Sequence, residues 1–469
     1  MNREYDILIM GGGPAGSTCA TMMAREGLSV LVLERHKFPR FHIGESITAF
    51  GFRAFRELGV YEELKAQNYV KKKGLEFVMR EKKRKIYFPP TERNEPDELP
   101  WAFQMERSKI DHTLLKNARR NGAEVREECL IKKVLFEGDR AVGVQYRDLS
   151  EGGPEELQEV RAKWIIDASG QAALINRQLD DNLHDDPLLE KKFAVFSHWE
   201  GGIEIPNDDE ELNFKLCVHD NRRDWAWYLP IGKNKVSLGV VLSQKTVQEA
   251  TRNSQDLEEI FYHYAKDIPY VDKLLANPEL QRVEKFRCVK DYSYRSTRFW
   301  GKGWALVGDS GGFIDPVFST GMQIAFNSAF ALIDELKTAF QRPDPENADL
   351  SRYQKKFDDY YRFNSMFVYL FYLSRLDYSL LSNGRYLWRN IEWASLKYRM
   401  LFLWYGQRIL WSSQKKVQLW GEQVLFGNPS PDNLIARFLL VLSRNYDEVH
   451  ANKARPRAMS VERSEAVAA

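Results

Sequence analysis

Cysteine is scarce in this sequence: four residues in 469, at positions 19, 129, 217 and 288, with no CxxC pair among them. Such wide spacing excludes a disulfide framework and the common zinc modules, and predicts a chain kept in a reducing compartment without a structural metal. Excess charge of either sign is also lacking, with 68 basic against 66 acidic residues. A near-balance leaves no electrostatic footprint for a polyanion, so no nucleic-acid partner is expected. Long hydrophobic runs are missing as well. The most apolar one, 366–373, is far shorter than a bilayer span and is followed by Arg375 and Asp377, so no transmembrane segment is expected. The first apolar strand pattern begins at Ile7, which leaves no room for a signal peptide ahead of it. Cytoplasmic and soluble is the resulting expectation. Neither an internal repeat nor a low-complexity tract is present. At this length the chain can form two or three lobes around a sizeable core.

What the sequence does have comes first in the chain. Residues 5–34 read YDILIMGGGPAGSTCATMMAREGLSVLVLE. A short apolar run enters a glycine cluster, a helical segment follows, and a second apolar run ends on an acid, which predicts a βαβ unit. The cluster supplies GxGxxG as Gly11, Gly13 and Gly16: one for a tight turn, one to let a pyrophosphate approach the backbone, one for close packing of helix on strand. Glu34 stands eighteen residues beyond Gly16, where an acid can accept hydrogen bonds from an adenosine ribose. A dinucleotide site is the reading of this stretch.

Further along, FPRFHIGES predicts an irregular segment before a helix over 47–64, and Arg40, Glu45 and Ser46 are candidate contacts there because loops after nucleotide-binding strands face the cofactor. Strands are expected over 75–80 and 85–88, with the run Lys71, Lys72, Lys73 just ahead of them; read alone, that run is a solvated basic edge. A helix over 108–121 stops at Gly122, and strands follow over 130–136, 141–146 and 160–166. A strand-rich stretch with members at 193–199, 212–218, 225–230 and 236–242 carries a helical insertion at 257–264. The strand 304–307 then runs into GDSGGFIDPVFSTG and a long helix over 322–340. The fold class expected is α/β, α+β overall: a Rossmann-like nucleotide-binding domain (1–189 and 290–345, with strands near 72–105 belonging to the second unit) interrupted by an antiparallel-sheet substrate domain (190–289). A helical, aromatic-rich region over 346–450 and a disordered tail over 451–469 complete it. The aromatic stripe is a core, a roof over an apolar cavity or an interface; the sequence leaves the three open.

Three stretches together resemble the flavin-dependent halogenases, within the superfamily of p-hydroxybenzoate-hydroxylase-like flavoproteins: GGGPAGST with FPRFHIGES, then WAWYLP, then GDSGGFIDPVFSTG. The likeness spans about 5–336. It implies FAD, used as FADH2, with Gly11, Gly13, Ala15, Gly16, Ser17, Glu34, Arg40, Ser46, Arg107, Asp309 and Met322 as cofactor contacts. The family's WxWxIP motif stands here as Trp225, Trp227, Leu229 and Pro230, and in the family these tryptophans wall the flavin off from the organic substrate. FxxPxxSxG stands as Phe313, Pro316, Ser319 and Gly321, and the resemblance places chloride or bromide on the backbone amides of Thr320 and Gly321. A glycine turn entering a helix suits an anion. A lysine of the family, five residues ahead of Phe77, corresponds to Lys72, with Lys71 and Lys73 as rivals in the register. Its implied role is to take up hypohalous acid and pass electrophilic halogen to the substrate.

Departures from the pattern shape the expected substrate. Phe318 stands where the tryptophan-acting subgroup has a glutamate that assists deprotonation, so an electron-rich phenol or pyrrole, free or tethered to a carrier protein, is expected rather than free tryptophan. A separate NAD(P)H flavin reductase is the implied partner. Two rival readings share the scaffold: an FAD monooxygenase or geranylgeranyl-reductase-like oxidoreductase, and a flavin-carrying binding protein without turnover.

Overall fold

The structure is a computed structural model, and the description covers residues 4–48, 50–67, 69–80, 82–87, 102–203, 214–221, 223–290 and 292–373. The expectations for the loop around 89–100, for the tail 451–469 and for most of 346–450, including Trp388, Trp393, Trp404, Trp411 and Trp420, lie outside these residues.

Two sheets face each other across the centre of the molecule. The first runs, in spatial order, Trp300–Gly301, Trp304–Leu306, Gln158–Asp167, Glu4–Met10, Val30–Leu33 and Glu124–Arg126. Its neighbours from Trp304–Leu306 to Glu124–Arg126 are parallel. Strands of such a sheet are covered on both faces, which is why VLVL at 30–33 is buried at every position. The hairpin Cys129–Glu137 and Arg140–Asp148 adds antiparallel strands to the early half of Gln158–Asp167. Helix Pro14–Arg25 starts with proline at its first turn and packs against helix Gly321–Ala339 on one face of this sheet.

The second sheet has the order Gln281–Arg282, Lys192–Glu200, Lys235–Ser243, Trp225–Gly232, Lys215–Val218, Gly74–Met79 and Lys82–Tyr87. All its pairs are antiparallel except Lys215–Val218 with Gly74–Met79. Alternation along each strand sorts its residues between two cores. Val195, Ala226 and Tyr228 join Phe261 and Val271 under the helices Gln244–Asn253, Leu257–Ala265 and Pro269–Leu275, while Ala194, Phe196, Trp225, Trp227 and Leu229 face the first sheet and share its core. The long helix Ser351–Leu373 closes that shared core through Tyr353, Phe357, Tyr361 and Phe371.

Several expectations are corrected in detail. The helix anticipated over 47–64 is two helices, Phe50–Leu58 and Tyr61–Ala66, because Gly59 turns the chain with φ at +75°. The helices Gln244–Asn253 and Pro269–Leu275 were not anticipated. Most consequential is Val70–Lys72, which is a strand rather than a basic edge and pairs with Ala102–Gln104. Burial differs along the run: Lys71 is exposed, Lys73 is half-buried, and Lys72 is 0% exposed. Among the described residues, no helix is long and apolar enough to cross a membrane. The four cysteines are free thiols, and no metal-binding cluster of His, Cys, Asp and Glu is found among the described residues.

Candidate active site

A cavity of about 730 Å³ runs along the C-terminal ends of the first sheet's parallel strands and opens between the two sheets. This is where open α/β sheets take ligands. One end is built by the glycine turn. Gly11 has φ at +106°, and a Cβ there would stand 2.6 Å from the Ala168 carbonyl oxygen, so no larger residue fits. Gly16 packs directly on the Gly11 carbonyl. Gly13 is different: a Cβ there would meet nothing nearer than an Arg40 nitrogen at 3.7 Å, so its backbone faces open cavity beside a guanidinium. Glu34 is buried, accepts the Gly12 N–H at 2.7 Å and the His36 N–H at 2.9 Å, and lines the same end. Its carboxylate is thereby fixed beside the glycine turn.

The segment after the second strand lies across the cavity as a strap. Arg107, buried at the start of helix Arg107–Arg120, grips Asp111 with two hydrogen bonds of 2.8 and 2.9 Å and donates to the Ile43 carbonyl at 2.9 Å. Arg40 reaches the same carboxylate at 3.3 Å. Burial alone would raise Asp111, but the two arginines hold its carboxyl below the ordinary range, so it is an anion. His42, buried beside both guanidinium groups, is pushed down to about 3 and stays neutral. Arg40 also stands 3.8 Å from Glu34, so the two arginines and two carboxylates balance, and what this end offers a pyrophosphate is the Arg40 guanidinium beside the open backbone of Gly13. Among the described residues, Glu45 Oε2 and the Tyr292 hydroxyl, both from residues on the cavity wall, are buried without a protein partner. Asp309, from the GD turn, lines the middle of the cavity, and burial lifts its carboxyl to about 7.

Beyond Asp309 the second sheet supplies the wall. Trp225 and Trp227 share a face at i and i+2, with ring centroids 6.1 Å apart, and both line the cavity. Trp227 lies over Gly239 of the neighbouring strand, its register partner; a Cβ at that position would overlap the indole ring. Each indole N–H is satisfied, Trp227 by the Ser237 hydroxyl at 3.1 Å and Trp225 by the Tyr372 hydroxyl at 3.0 Å. Rings fixed at both ends make a rigid screen.

Opposite that screen, Ser319 adopts φ +58° and turns the chain into helix Gly321–Ala339, with Thr320 as its N-cap. A non-glycine residue held there is strained backbone. The turn presents the helix's first, intrahelically unpartnered amides toward Gly321 and Met322, both on the cavity wall, at the positive end of a nineteen-residue helix. Lys72 lies immediately behind. Its ammonium donates to Ser46 Oγ at 2.7 Å and to Ser319 Oγ at 3.4 Å and stands 4.5 Å over the Phe214 ring. Ser46, Ser319 and Phe214 all line the cavity, so the amine is one side chain away from it. Burial lowers Lys72 to about 7, which makes neutral amine and ammonium comparable in population near neutrality.

Of the residues anticipated from sequence, Gly11, Gly13, Ala15, Glu34, Arg40, Ser46, Arg107, Asp309, Gly321, Met322, Trp225 and Trp227 line this one cavity. Gly16, Ser17, Lys72, Pro230 and Thr320 do not. Ser17 spends its hydroxyl on the Gly12 carbonyl at 2.9 Å, and Pro230 is buried in the sheet opposite Val236. Phe214, Tyr292, Ser237, Gly239 and Tyr372 were not anticipated as parts of the site. They carry no motif, and their places follow from cross-strand register and from tertiary contact.

Comparison with known proteins agrees with this geometry. The family model for tryptophan halogenase matches residues 6–91 and 65–391. A 1H-pyrrole-2-carbonyl-[peptidyl-carrier protein] brominase from Pseudoalteromonas luteoviolacea is 30% identical over 73% of this chain and 79% of its own length. A tryptophan 2-halogenase from Chondromyces crocatus is 33% identical over 71% of this chain and 61% of its own length. Among solved structures, the myxobacterial chondrochloren halogenase, described as a variant of FAD-dependent halogenases, superposes with a TM-score of 0.70 at 27% identity, covering 95% of this chain and 98% of that one. With its Rossmann-type sheet, glycine turn, tryptophan screen and serine turn in one cavity, the chain belongs to the tryptophan halogenase family and is an FAD-dependent enzyme.

Proposed function

We propose that this chain halogenates an electron-rich aromatic substrate, phenolic or pyrrolic, with reduced FAD, dioxygen and chloride or bromide. The observation that carries the proposal is the place of Lys72: a buried amine between Ser46 of the strap and Ser319 of the helix-entry turn, one side chain behind the cavity wall. Bound reduced FAD would supply two electrons to dioxygen, bringing it to the peroxide level, and oxygen at that level is the oxidant that converts halide to hypohalous acid. The chain's own residues do the rest. Gly13, Arg40 and Arg107 would hold the pyrophosphate, Glu34 the ribose and Asp309 the ribityl chain, with Gly11, Ala15, Ser46 and Met322 shaping the surrounding surface and Gly16 and Ser17 bracing the glycine turn beneath it. The amides of Thr320 and Gly321 bind halide at a helix N-terminus. Trp225, Trp227 and Pro230 keep substrate and bulk water away from the oxidant. Lys72 takes up hypohalous acid, either as the neutral amine or by hydrogen bonding as ammonium, and holds the electrophilic halogen toward the ring to be substituted.

Phe318 is buried beside Ser319 and offers no base, which favours a ring already activated by its own hydroxyl or nitrogen. The relative acting on a carrier-tethered pyrrole supports a tethered substrate here. A separate flavin reductase, a cytoplasmic location, and the division into a discontinuous FAD domain (1–189 and 290–345) around a substrate domain (190–289) belong to the same proposal.

The test is incubation of the protein with a flavin reductase, NADH, FAD, bromide and a panel of phenols and pyrroles, free and carrier-tethered, read by mass spectrometry. Bromine incorporation that requires the reductase and oxygen is expected. Hydroxylated products, or reduction of an added prenyl chain with NADPH alone, would replace this reading.

A further inference from the structure

The last described turn of helix Ser351–Leu373 touches all three working parts of the site. Phe371 stands 4.9 Å, ring to ring, from Phe318, the residue before Ser319, and 5.4 Å from Phe77 in the strand that follows Lys72. Its neighbour Tyr372 accepts the Trp225 indole N–H at 3.0 Å and lies 3.1 Å from each carboxylate oxygen of Asp315, to which it donates. Asp315 in turn accepts the Val317 N–H at 2.9 Å, at the start of the turn that ends in Ser319 and Thr320. The Lys192 ammonium stands 4.0 Å over the Tyr372 ring and holds it from the other side. One dipeptide thus joins the strand after Lys72, the halide turn and the tryptophan screen.

Chemistry makes Tyr372 the centre of this junction. A tyrosine hydroxyl can accept from an indole and donate to a carboxylate at once, whereas phenylalanine keeps the ring and loses both bonds. Trp225 is 1% exposed, and its buried indole N–H sets a direction in which the ring must find an acceptor. The hydrogen bond fixes it. We propose that Tyr372 is a positioning residue that locks Trp225 to the Asp315 turn, so that the screen and the halide turn keep one mutual geometry while oxidant passes between them. The proposal rests on the halogenase reading above.

Tyr372→Phe tests it, assayed with flavin reductase, NADH, FAD, bromide and an aromatic that the unaltered protein accepts. Halogenated product per flavin oxidised should fall about fivefold, the ratio that one ordinary hydrogen bond corresponds to, while the rate of flavin oxidation and the KM for bromide stay unchanged. Oxidant that escapes should appear on a soluble halogen acceptor added to the medium. Trp225→Phe removes the same bond from its other end, and adding Tyr372→Phe to it should cost less than Tyr372→Phe costs alone, the remainder being the lost bond to Asp315. Near-UV circular dichroism of the tryptophans should change in Tyr372→Phe at rest, with the melting temperature retained. Full coupling in Tyr372→Phe, additive losses in the double variant, or an unchanged tryptophan spectrum would overturn the proposal. If the unaltered protein halogenates nothing, the halogenase reading fails instead, and the spectrum alone still decides whether Tyr372 holds Trp225.

Discussion

Lys72 is the residue in which fold and chemistry are in tension. Its side chain is fully buried, and burial pulls its amine from the ordinary lysine value of 10.5 down to about 7. Between those two values the unfolded chain binds a proton that the folded chain does not, so stability rises with pH across that window, and the cost of burying this group is greatest below about pH 7. Lys72→Met should therefore stabilise the protein by about 3 kcal/mol near pH 6, with the gain nearly gone near pH 10. Urea unfolding at the two pH values checks this; a gain independent of pH would mean that the amine is not desolvated as described. The proposed function would account for keeping a residue that the fold disfavours. A buried lysine poised between its two protonation states can carry a halogen electrophile, and an exposed one at ordinary pKa would be ammonium throughout.

At the scale of elements, the site depends on which strands lie opposite each other. Trp227 has room only because its register partner in the neighbouring strand is Gly239. Gly239→Ala should cost about 1–3 kcal/mol through overpacking and displace the indole from the cavity wall. Chemical denaturation reads the first effect, and a changed tryptophan emission spectrum reads the second; a neutral substitution would show that the screen is less tightly set than its register implies. This element also shows what one sequence can disclose. The glycine turn was legible because positive φ at Gly11 requires glycine, whereas the tryptophan pair and the serine turn were read from the resemblance to halogenase motifs, with a shared strand face for Trp225 and Trp227 and a helix entry after Ser319 consistent with it. Gly239, Ser237 and Phe214 were not legible, since cross-strand register is a tertiary fact. Lysine register falls between the two. The run Lys71 to Lys73 gave three candidates, and only the strand pairing of Val70–Lys72 with Ala102–Gln104 turns one of them inward.

The whole molecule divides its task between two sheets that meet at one cavity. The parallel sheet presents glycine turn, strap and Asp309 at its strand ends, and the antiparallel sheet turns its tryptophan face toward them. Both sheets were legible in outline from apolar periodicity, because covered parallel strands read as continuous runs and half-covered strands as alternation. Their mutual docking was not, because it is made by Phe371, Tyr372 and other residues of a helix whose sequence reads only as an aromatic stripe. The proposed function separates oxidant formation at the flavin from halogen delivery by the buried Lys72 amine behind the Ser319 turn. Comparison of Lys72→Ala with Lys71→Ala in single-turnover reactions started with reduced FAD tests this separation most directly. Lys72→Ala should oxidise flavin at the unaltered rate while halogenated product falls by about a hundredfold or more, and Lys71→Ala should retain both. Halogenated product at the unaltered level in Lys72→Ala would contradict the account.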